Sequence, residues 1–199
     1  MPRAGLSRER LTVEAAALVD ELGWDKLTLA GLAERVGVRL SSLYKHIDSL
    51  EALRQHVAAL ATRQLADALT GAALGRSGPE ALRAVCDAYR DFGRAHPGRY
   101  QATVRAPAGQ DGEHAAAAES VLGVVLAVLR GYRIVGADAV DAARGLRAAL
   151  HGFVSLEATG AFGLPREIDR SYARWLDTWD LALREWVRAD PDDDARAAS

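Results

Sequence analysis

Residues 28–46 read TLAGLAERVGVRLSSLYKH, and this stretch decides the fold because it predicts two short helices on either side of one glycine. The apolar residues of the first helix recur at spacings of three and four, which places them on one face. Thr28 precedes that helix, and its side-chain oxygen can accept a hydrogen bond from a first-turn amide. Gly37 ends the helix, because glycine enters left-handed backbone conformations without steric cost. The pattern is typical of a helix-turn-helix unit.

The second helix of this unit has a polar, cationic outward face. A rotation of about 100° per residue puts Leu40, Leu43 and Ile47 on one side, which we expect to face the core. No acidic residue lies between Gly37 and Ile47. Cationic groups and short hydroxyls suit the phosphates and base edges of a DNA major groove. The residues that we expect to contact DNA are Thr28, Arg39, Ser41, Ser42, Tyr44, Lys45 and His46.

The roles of these residues differ in the DNA-binding interpretation. Lys45 and Tyr44 contact phosphates, whereas base edges are approached by Arg39, Ser41, Ser42 and His46. The alternative is the solvated surface of an ordinary helical hairpin, since the same geometry occurs without DNA binding.

The flanking sequence predicts a helix on each side of this unit. Ser7 can cap a preceding helix, which Gly23 ends. Asp48-Ser49-Leu50-Glu51 matches a capping box and begins a long amphipathic helix that runs to about Thr70. Such a helix can join a DNA-reading head to a larger body. The apolar stripe of the preceding helix consists of Leu11, Ala15, Leu18, Val19 and Leu22.

The N-terminal part of the chain closely resembles the TetR family of transcriptional regulators. The matching stretches are LTLAGLAERVGV, SSLYKHI and DSLEALRQHV, which together span residues 27–57. A second stretch, Leu146 to Pro165, resembles the C-terminal body of a TetR branch with a similar histidine-glycine motif. The resemblance implies that the helix containing SSLYKH enters the major groove. It also implies that the long helix transmits the state of a ligand-binding body.

Two positions depart from the family pattern. Many members carry a small hydroxyl residue where this chain has Arg39, and a lysine where it has Leu50. The first departure is expected to alter base preference and the second to remove a phosphate contact. Neither affects the expected all-α fold: a three-helix helix-turn-helix domain (1–48) joined by a long helix to a helical effector-binding and dimerisation body (49–199).

The body reads as nearly all helix. We expect helices from Pro79 to about His96, over Ala115 to Arg130, from about Asp138 to Thr159 and from about Asp169 to Arg188. The segment from Ala115 to Arg130 is apolar on most sides, so we expect it to be buried among other helices. The acidic end, residues 189–199, is expected to be a disordered tail.

The last two predicted helices indicate self-association. Aromatic residues are enriched at interface hot spots, and a dimer gains by reading two half-sites about 34 Å apart. As in TetR proteins, these helices and their symmetry mates are expected to form a four-helix interface. The alternative is that the apolar faces of both helices are buried inside one chain. The predicted interface residues are Leu146, Leu150, Phe153, Trp175, Trp179 and Leu183.

An effector pocket is expected in the region that the family uses for this purpose. Apolar walls with a few polar groups are typical of small-molecule sites. The alternative to such a pocket is a packed core without a cavity. Outside the predicted pocket, Glu157 lies on the apolar side of its helix, and we expect it to pair with an arginine across an interface. The predicted pocket residues are Tyr89, Phe92, Tyr100, Val104 and His151.

Composition excludes several other classes of protein. The 199 residues carry a net charge of −2, so DNA binding must depend on the placement of charge. The five histidines lack metal-ligand spacing, and no phosphate-binding glycine loop or nucleophile elbow occurs. We therefore expect no metal, no cofactor and no enzymatic activity. Cys86 is the only cysteine, which fits a reducing cytoplasm, and no signal peptide or membrane span is expected.

The sequence thus predicts a homodimeric, ligand-responsive transcriptional regulator, a repressor that a small molecule releases from a double-stranded DNA operator. A DNA-binding regulator without an effector is one alternative. A helical adaptor that no longer reads DNA is the other.

Overall fold

The computed structural model describes residues 6–104 and 112–186. Within those ranges the chain contains α-helices and no β-strand, so the predicted all-α class is confirmed. The expected disordered tail at 189–199 lies outside the described residues. The helices are α1 (Arg8–Leu22), α2 (Leu29–Val36), α3 (Leu40–Leu43), α4 (Leu50–Ala73), α5 (Gly78–Ala95), α6 (Pro97–Thr103), α7 (Gly112–Arg130), α8 (Gly136–Ala158) and α9 (Ile168–Glu185), with a short 3-10 helix at Trp24–Lys26.

Side-chain caps begin the first helices, as the sequence predicts. The Ser7 hydroxyl accepts from the Arg10 amide at 3.3 Å, and the Thr28 hydroxyl accepts from the Gly31 amide at 3.1 Å. At α4 the capping residue is Ser49, which accepts from the Ala52 amide at 3.0 Å. The cap therefore lies one residue after the start of the predicted box, and α4 continues slightly beyond its predicted end.

Glycines end α1 and α2 at the predicted positions. Gly37 has a φ of 70°, in the left-handed region. Its amide donates to the Glu34 carbonyl at 3.1 Å, and the Val38 amide donates to the Ala33 carbonyl at 3.0 Å. This turn redirects the chain from α2 into α3 and so sets the geometry of the helix-turn-helix unit.

The chain forms two compact units, and the first comprises the described residues of Met1–Ala68 and Asp91–Val121. Two predicted core residues lie on its surface instead, since Leu22 is 48% exposed and Leu40 is 41% exposed. Leu22 is the last residue of α1 and Leu40 is the first residue of α3, so each one extends its apolar stripe to the very end of a helix. The core of the first unit includes Leu11, Ala15, Val19, Leu27, Leu32, Leu43, Ile47, Leu53 and Val57.

The second compact unit comprises the described residues of Leu69–Arg90 and Leu122–Ser199. It contains α8, α9 and most of α5, so α4, α5 and α7 each contribute residues to both units. Its most deeply buried side chains include Leu82, Cys86, Leu129, Ile134 and Leu183.

The prediction that α7 is buried is wrong. Within α7 only His114, Ala117, Val128 and Leu129 are buried, and Leu122 is 48% exposed. A helix that is apolar on most sides needs neighbours on most sides, and the described residues of a single chain supply them on only part of its surface. By length and composition, α7 is also the one described helix that could cross a bilayer. Helices of soluble proteins can have the same length and composition, so this observation does not assign α7 to a membrane.

Candidate nucleic-acid interface

The segment predicted to read DNA contains a shorter helix than expected. Helix α3 ends at Leu43, and a hydrogen-bonded turn continues to His46, whose amide donates to the Leu43 carbonyl at 2.8 Å. Tyr44 has a ψ of −9°, which departs from the helical value of about −42°. Two serines in succession also favour helix weakly, because their hydroxyls compete for backbone hydrogen bonds.

Two apolar anchors fix the orientation of this segment. Leu43 and Ile47 are almost completely buried in the same core as residues of α1 and α2. Because they point inward, the intervening residues point outward, as the spacing predicts.

The outward side combines cationic and hydroxyl groups. Arg39, Ser41, Tyr44 and Lys45 are exposed, whereas Ser42 and His46 are half-buried. Arg39 has extended backbone just before α3, and its carbonyl accepts from the Ser42 amide at 2.9 Å. Among the described residues, neither Arg39 nor Lys45 takes part in an ion pair. Both charges are therefore available to a DNA phosphate or a base edge.

Thr28 already has a structural role at the start of α2. Its oxygen accepts the Gly31 amide hydrogen, and the residue is exposed. Because a hydroxyl can donate one hydrogen bond while it accepts another, Thr28 can cap α2 and still donate to a phosphate oxygen.

An ion-pair cluster that was not predicted joins α2 to α1. Arg35 lies 3.1 Å from a Glu14 oxygen and 2.8 Å from a Glu21 oxygen. These hydrogen bonds raise the pKa of the Arg35 guanidinium and lower the pKa of Glu21. The signal in the sequence is the seven-residue spacing of Glu14 and Glu21, which places both carboxylates on one face of α1.

The predicted dimer residues divide into two groups. Leu146, Leu150 and Leu183 are buried within the second unit of a single chain. Their side chains already pack against this chain, and their part in a dimer interface stays a prediction. Half-exposed positions are occupied by Phe153, Trp175 and Trp179.

The half-exposed aromatic residues form one cluster on α8 and α9. The Trp175 ring centre lies 6.2 Å from both the Phe153 and the Trp179 ring centres. A Cβ atom added at Gly145 would lie 3.2 Å from the Trp179 ring, so the absence of a side chain there lets the indole lie against α8. We call Phe153, Trp175 and Trp179 the aromatic face.

The predicted pocket residues come from both compact units. Phe92, Tyr100 and Val104 belong to the first unit, and Tyr89 and His151 to the second. The three aromatic side chains are buried, whereas Val104 is 39% exposed.

His151 is half-buried in α8, and its ring lies 3.4 Å from the Ser155 hydroxyl. Burial, together with the positive charge of Arg147, lowers the pKa of the imidazole. The second unit also contains a cavity of about 290 Å³ at the connection between α8 and α9, which none of the predicted pocket residues lines. The effector pocket therefore stays a prediction.

Two features of the described residues argue against catalysis by a thiol or by a metal ion. Burial raises the pKa of the Cys86 thiol to about 12, so the thiol is protonated and unreactive at neutral pH. Among the residues that the structure describes, no group of three or more His, Cys, Asp or Glu side chains could hold a metal ion.

The fold is that of an all-α protein with an N-terminal helix-turn-helix unit, in which the exposed segment from Arg39 to Lys45 carries positive charge. Residues 82–179 match the family model described as tetracyclin repressor-like, C-terminal domain. The chain is 41% identical over 158 residues to an uncharacterized HTH-type transcriptional regulator of Mycobacterium tuberculosis, a match that covers 79% of this chain and 72% of the relative. It is 33% identical to another from Bacillus subtilis, over 84% of this chain and 87% of the relative. The chain belongs to the TetR family of transcriptional regulators and is not an enzyme.

Solved structures share the fold. A TetR variant from Acinetobacter baumannii in complex with minocycline has a TM-score of 0.69 at 22% identity, and the match covers 94% of this chain and 100% of that one. ActR from Streptomyces coelicolor in complex with actinorhodin has a TM-score of 0.64 at 18% identity, with coverage of 90% and 97%. At these identities the likeness extends to the fold alone.

Proposed function

We propose that the chain is a homodimeric, ligand-responsive repressor that binds a pseudo-palindromic operator through the segment from Arg39 to His46. The observation that carries this proposal is the exposed cationic segment from Arg39 to Lys45, which is held by the buried anchors Leu43 and Ile47. The head (1–48) reads DNA, and the remainder (49–199) binds the effector and the partner subunit. The protein acts in the cytoplasm and needs no cofactor.

We call the segment from Arg39 to His46 the reading segment, and its side chains contact different parts of the DNA. Lys45, Tyr44 and Thr28 contact phosphates and set the register of the head on the duplex. Base edges are read by Arg39, Ser41, Ser42 and His46. Because the net charge of the chain is −2, attraction to DNA depends on this local concentration of positive charge rather than on the whole surface.

Dimerisation places two heads on one operator. The aromatic face supports this step, because half-exposed indole rings on a terminal helix are a large apolar surface that a second copy can cover. Two copies related by a twofold axis then present α3 to successive major grooves, about 34 Å apart.

A small molecule is proposed to release the operator. Two proteins of the same fold hold minocycline and actinorhodin in their structures, which supports an effector site in the helical body of this chain. The residues that we assign to it are Tyr89, Phe92, Tyr100, Val104 and His151. By linkage, an effector that weakens operator binding must itself be bound more weakly by the operator complex.

The test is selection of bound sequences from a random duplex DNA library by the purified chain, with its oligomeric mass measured in the same buffer. Enrichment of an inverted repeat by a dimer supports the proposal and supplies the operator for further experiments. A folded dimer that enriches no sequence at low salt overturns the DNA-binding function and favours a helical adaptor.

A further inference from the structure

In the first unit, the backbone of α6 lies directly against the backbone of α1. A Cβ atom added at Gly98 would lie 2.0 Å from the carbonyl oxygen of Val19, where no side-chain atom fits. The start of α6 therefore rests directly on the last turn of α1, with no flexible side chain between the two backbones.

A carboxylate on α1 holds the first turn of α6 at this contact. The Arg99 amide donates to Asp20 Oδ1 at 2.8 Å, and the Arg99 Nε lies 2.7 Å from Asp20 Oδ2. His96 Nδ1 lies 3.4 Å from the same oxygen. His96 is the N-cap residue of α6, but its own side chain makes no capping hydrogen bond. Asp20 thus supplies, from another helix, the cap that α6 lacks.

Arg99 extends the contact to a third helix. Its Nη1 donates to the Gln64 side-chain oxygen of α4 at 3.1 Å. The Asp20 and Arg99 side chains are 14% and 19% exposed, so solvent screens their interaction only partly.

Helix α1 is in turn fixed to the reading segment. Val19 lies in the same buried core as Leu43 and Ile47, which anchor α3. Arg35 of α2 pairs with Glu14 and Glu21 of α1. Helix α6 also contributes Ala102 to this core, so α6, α1 and the segment from Arg39 to Ile47 are connected by direct contacts within the first unit.

We propose that Asp20 is the positioning residue that couples α6 to the DNA-reading head, so that operator binding at α3 is transmitted to α6 through the contact of Asp20 with Arg99. The inference rests on the proposed DNA-binding function. It adds the particular side chain through which the state of the head and the state of α6 depend on each other.

The test is amide hydrogen exchange with and without the selected operator duplex. Three proteins are compared: the wild type, Asp20→Ala and the control Asp25→Ala, which removes the same charge from an exposed position in the neighbouring 3-10 helix. We expect the duplex to slow exchange over residues 39–47 in all three. We expect it to change exchange over residues 97–103 in the wild type and in Asp25→Ala, and this response to be lost in Asp20→Ala.

A merely structural role for Asp20 would lower thermal stability but leave the response at 97–103 in place, and that result overturns the proposal. A wild type that is protected at 39–47 without any response at 97–103 also overturns it. Absence of protection at 39–47 in the wild type shows instead that the DNA-binding function has failed, and the inference with it. If Asp20→Ala does not fold, Arg99→Gln serves in its place, because it removes the ion pair and retains the backbone amide that Asp20 caps.

Discussion

Arg90 donates two hydrogen bonds to the carboxylate of Glu157, from Nε to Oε2 at 2.8 Å and from Nη2 to Oε1 at 2.6 Å. Both side chains are at least nine-tenths buried. The guanidinium also lies 4.2 Å from the ring centre of Tyr172, and its Nη2 donates to the exposed Asp169. A single arginine on α5 thus joins α8 to the first turn of α9 within the second unit.

Removal of Arg90 should destabilise the fold strongly. Arg90→Met removes both hydrogen bonds that the guanidinium donates to the buried Glu157 carboxylate, and we expect a loss of about 3 kcal/mol in the free energy of unfolding. The control is Arg83→Met, which removes an exposed pair with Asp177 and should cost less than about 1 kcal/mol. Denaturant titrations at one protein concentration measure both losses. Equal losses in Arg90→Met and Arg83→Met would show that the buried Arg90–Glu157 pair stabilises the fold no more than the exposed Arg83–Asp177 pair does.

Replacement of Arg39 should relax the sequence preference. Arg39 is exposed at the start of α3 with no ion pair among the described residues, so its guanidinium is available for a base edge. If it contacts guanine, Arg39→Ala should cost about 1–3 kcal/mol on the preferred operator and lose discrimination at one base step. The measurement is binding to a series of operators with single base-pair changes. Unchanged preference at every position would remove Arg39 from the base-reading residues.

Replacement of Lys45 should have a different signature. A phosphate contact carries no sequence information, so Lys45→Gln should weaken binding to all duplexes to a similar degree. It should also reduce the slope of log affinity against log salt by about one. The control is Lys26→Gln, which removes the same charge from an exposed position outside the proposed contacts. A loss confined to certain sequences would assign Lys45 to base reading instead.

The features that could be predicted from the sequence are local ones. The caps at Ser7 and Thr28 and the left-handed Gly37 depend on residues only a few positions apart, so their patterns indicate them directly. The exposed face of α3 follows from the same short-range periodicity. Prediction failed for Leu22 and Leu40 because periodicity does not show where the neighbouring surface ends.

The features that could not be predicted join distant parts of the chain. Asp20 and Arg99 are 79 residues apart, and Arg90 and Glu157 are 67 apart, so no local pattern pairs them. Glu157 was expected to meet an arginine across an interface, but its partner Arg90 lies in the same chain. A polar residue on an apolar helix face indicates that a partner exists, whereas only the packing of the helices identifies that partner.

We predict that the aromatic face contributes to the affinity of the dimer. Replacing Trp175 and Trp179 together with alanine should raise the dimer dissociation constant by at least about 30-fold, which corresponds to about 2 kcal/mol at an interface hot spot. The control is Leu74→Ala, which removes a 78% exposed apolar side chain outside the aromatic face. Sedimentation equilibrium over a range of protein concentrations measures the change. If the double variant and the control dissociate at the same concentration, the interface lies elsewhere.

The lowered pKa of His151 predicts a pH dependence of stability. Burial and the charge of Arg147 hold the folded pKa below the value of 6.5 that applies to the unfolded chain. The unfolded state therefore binds a proton at a higher pH than the folded state does. The contribution of His151 is fully present above about pH 6.5 and is lost as the pH falls below that value.

His151→Gln removes this titration. We expect the decrease in melting temperature between about pH 7.5 and about pH 5.5 to be smaller in His151→Gln than in the wild type, since the neutral glutamine binds no proton in either state. His56→Gln is the matched control, because it removes a half-exposed histidine from α4. Thermal melts across this pH range measure the difference. A decrease that is the same in the wild type and in His151→Gln would show that His151 binds its proton equally well in the folded and unfolded chains.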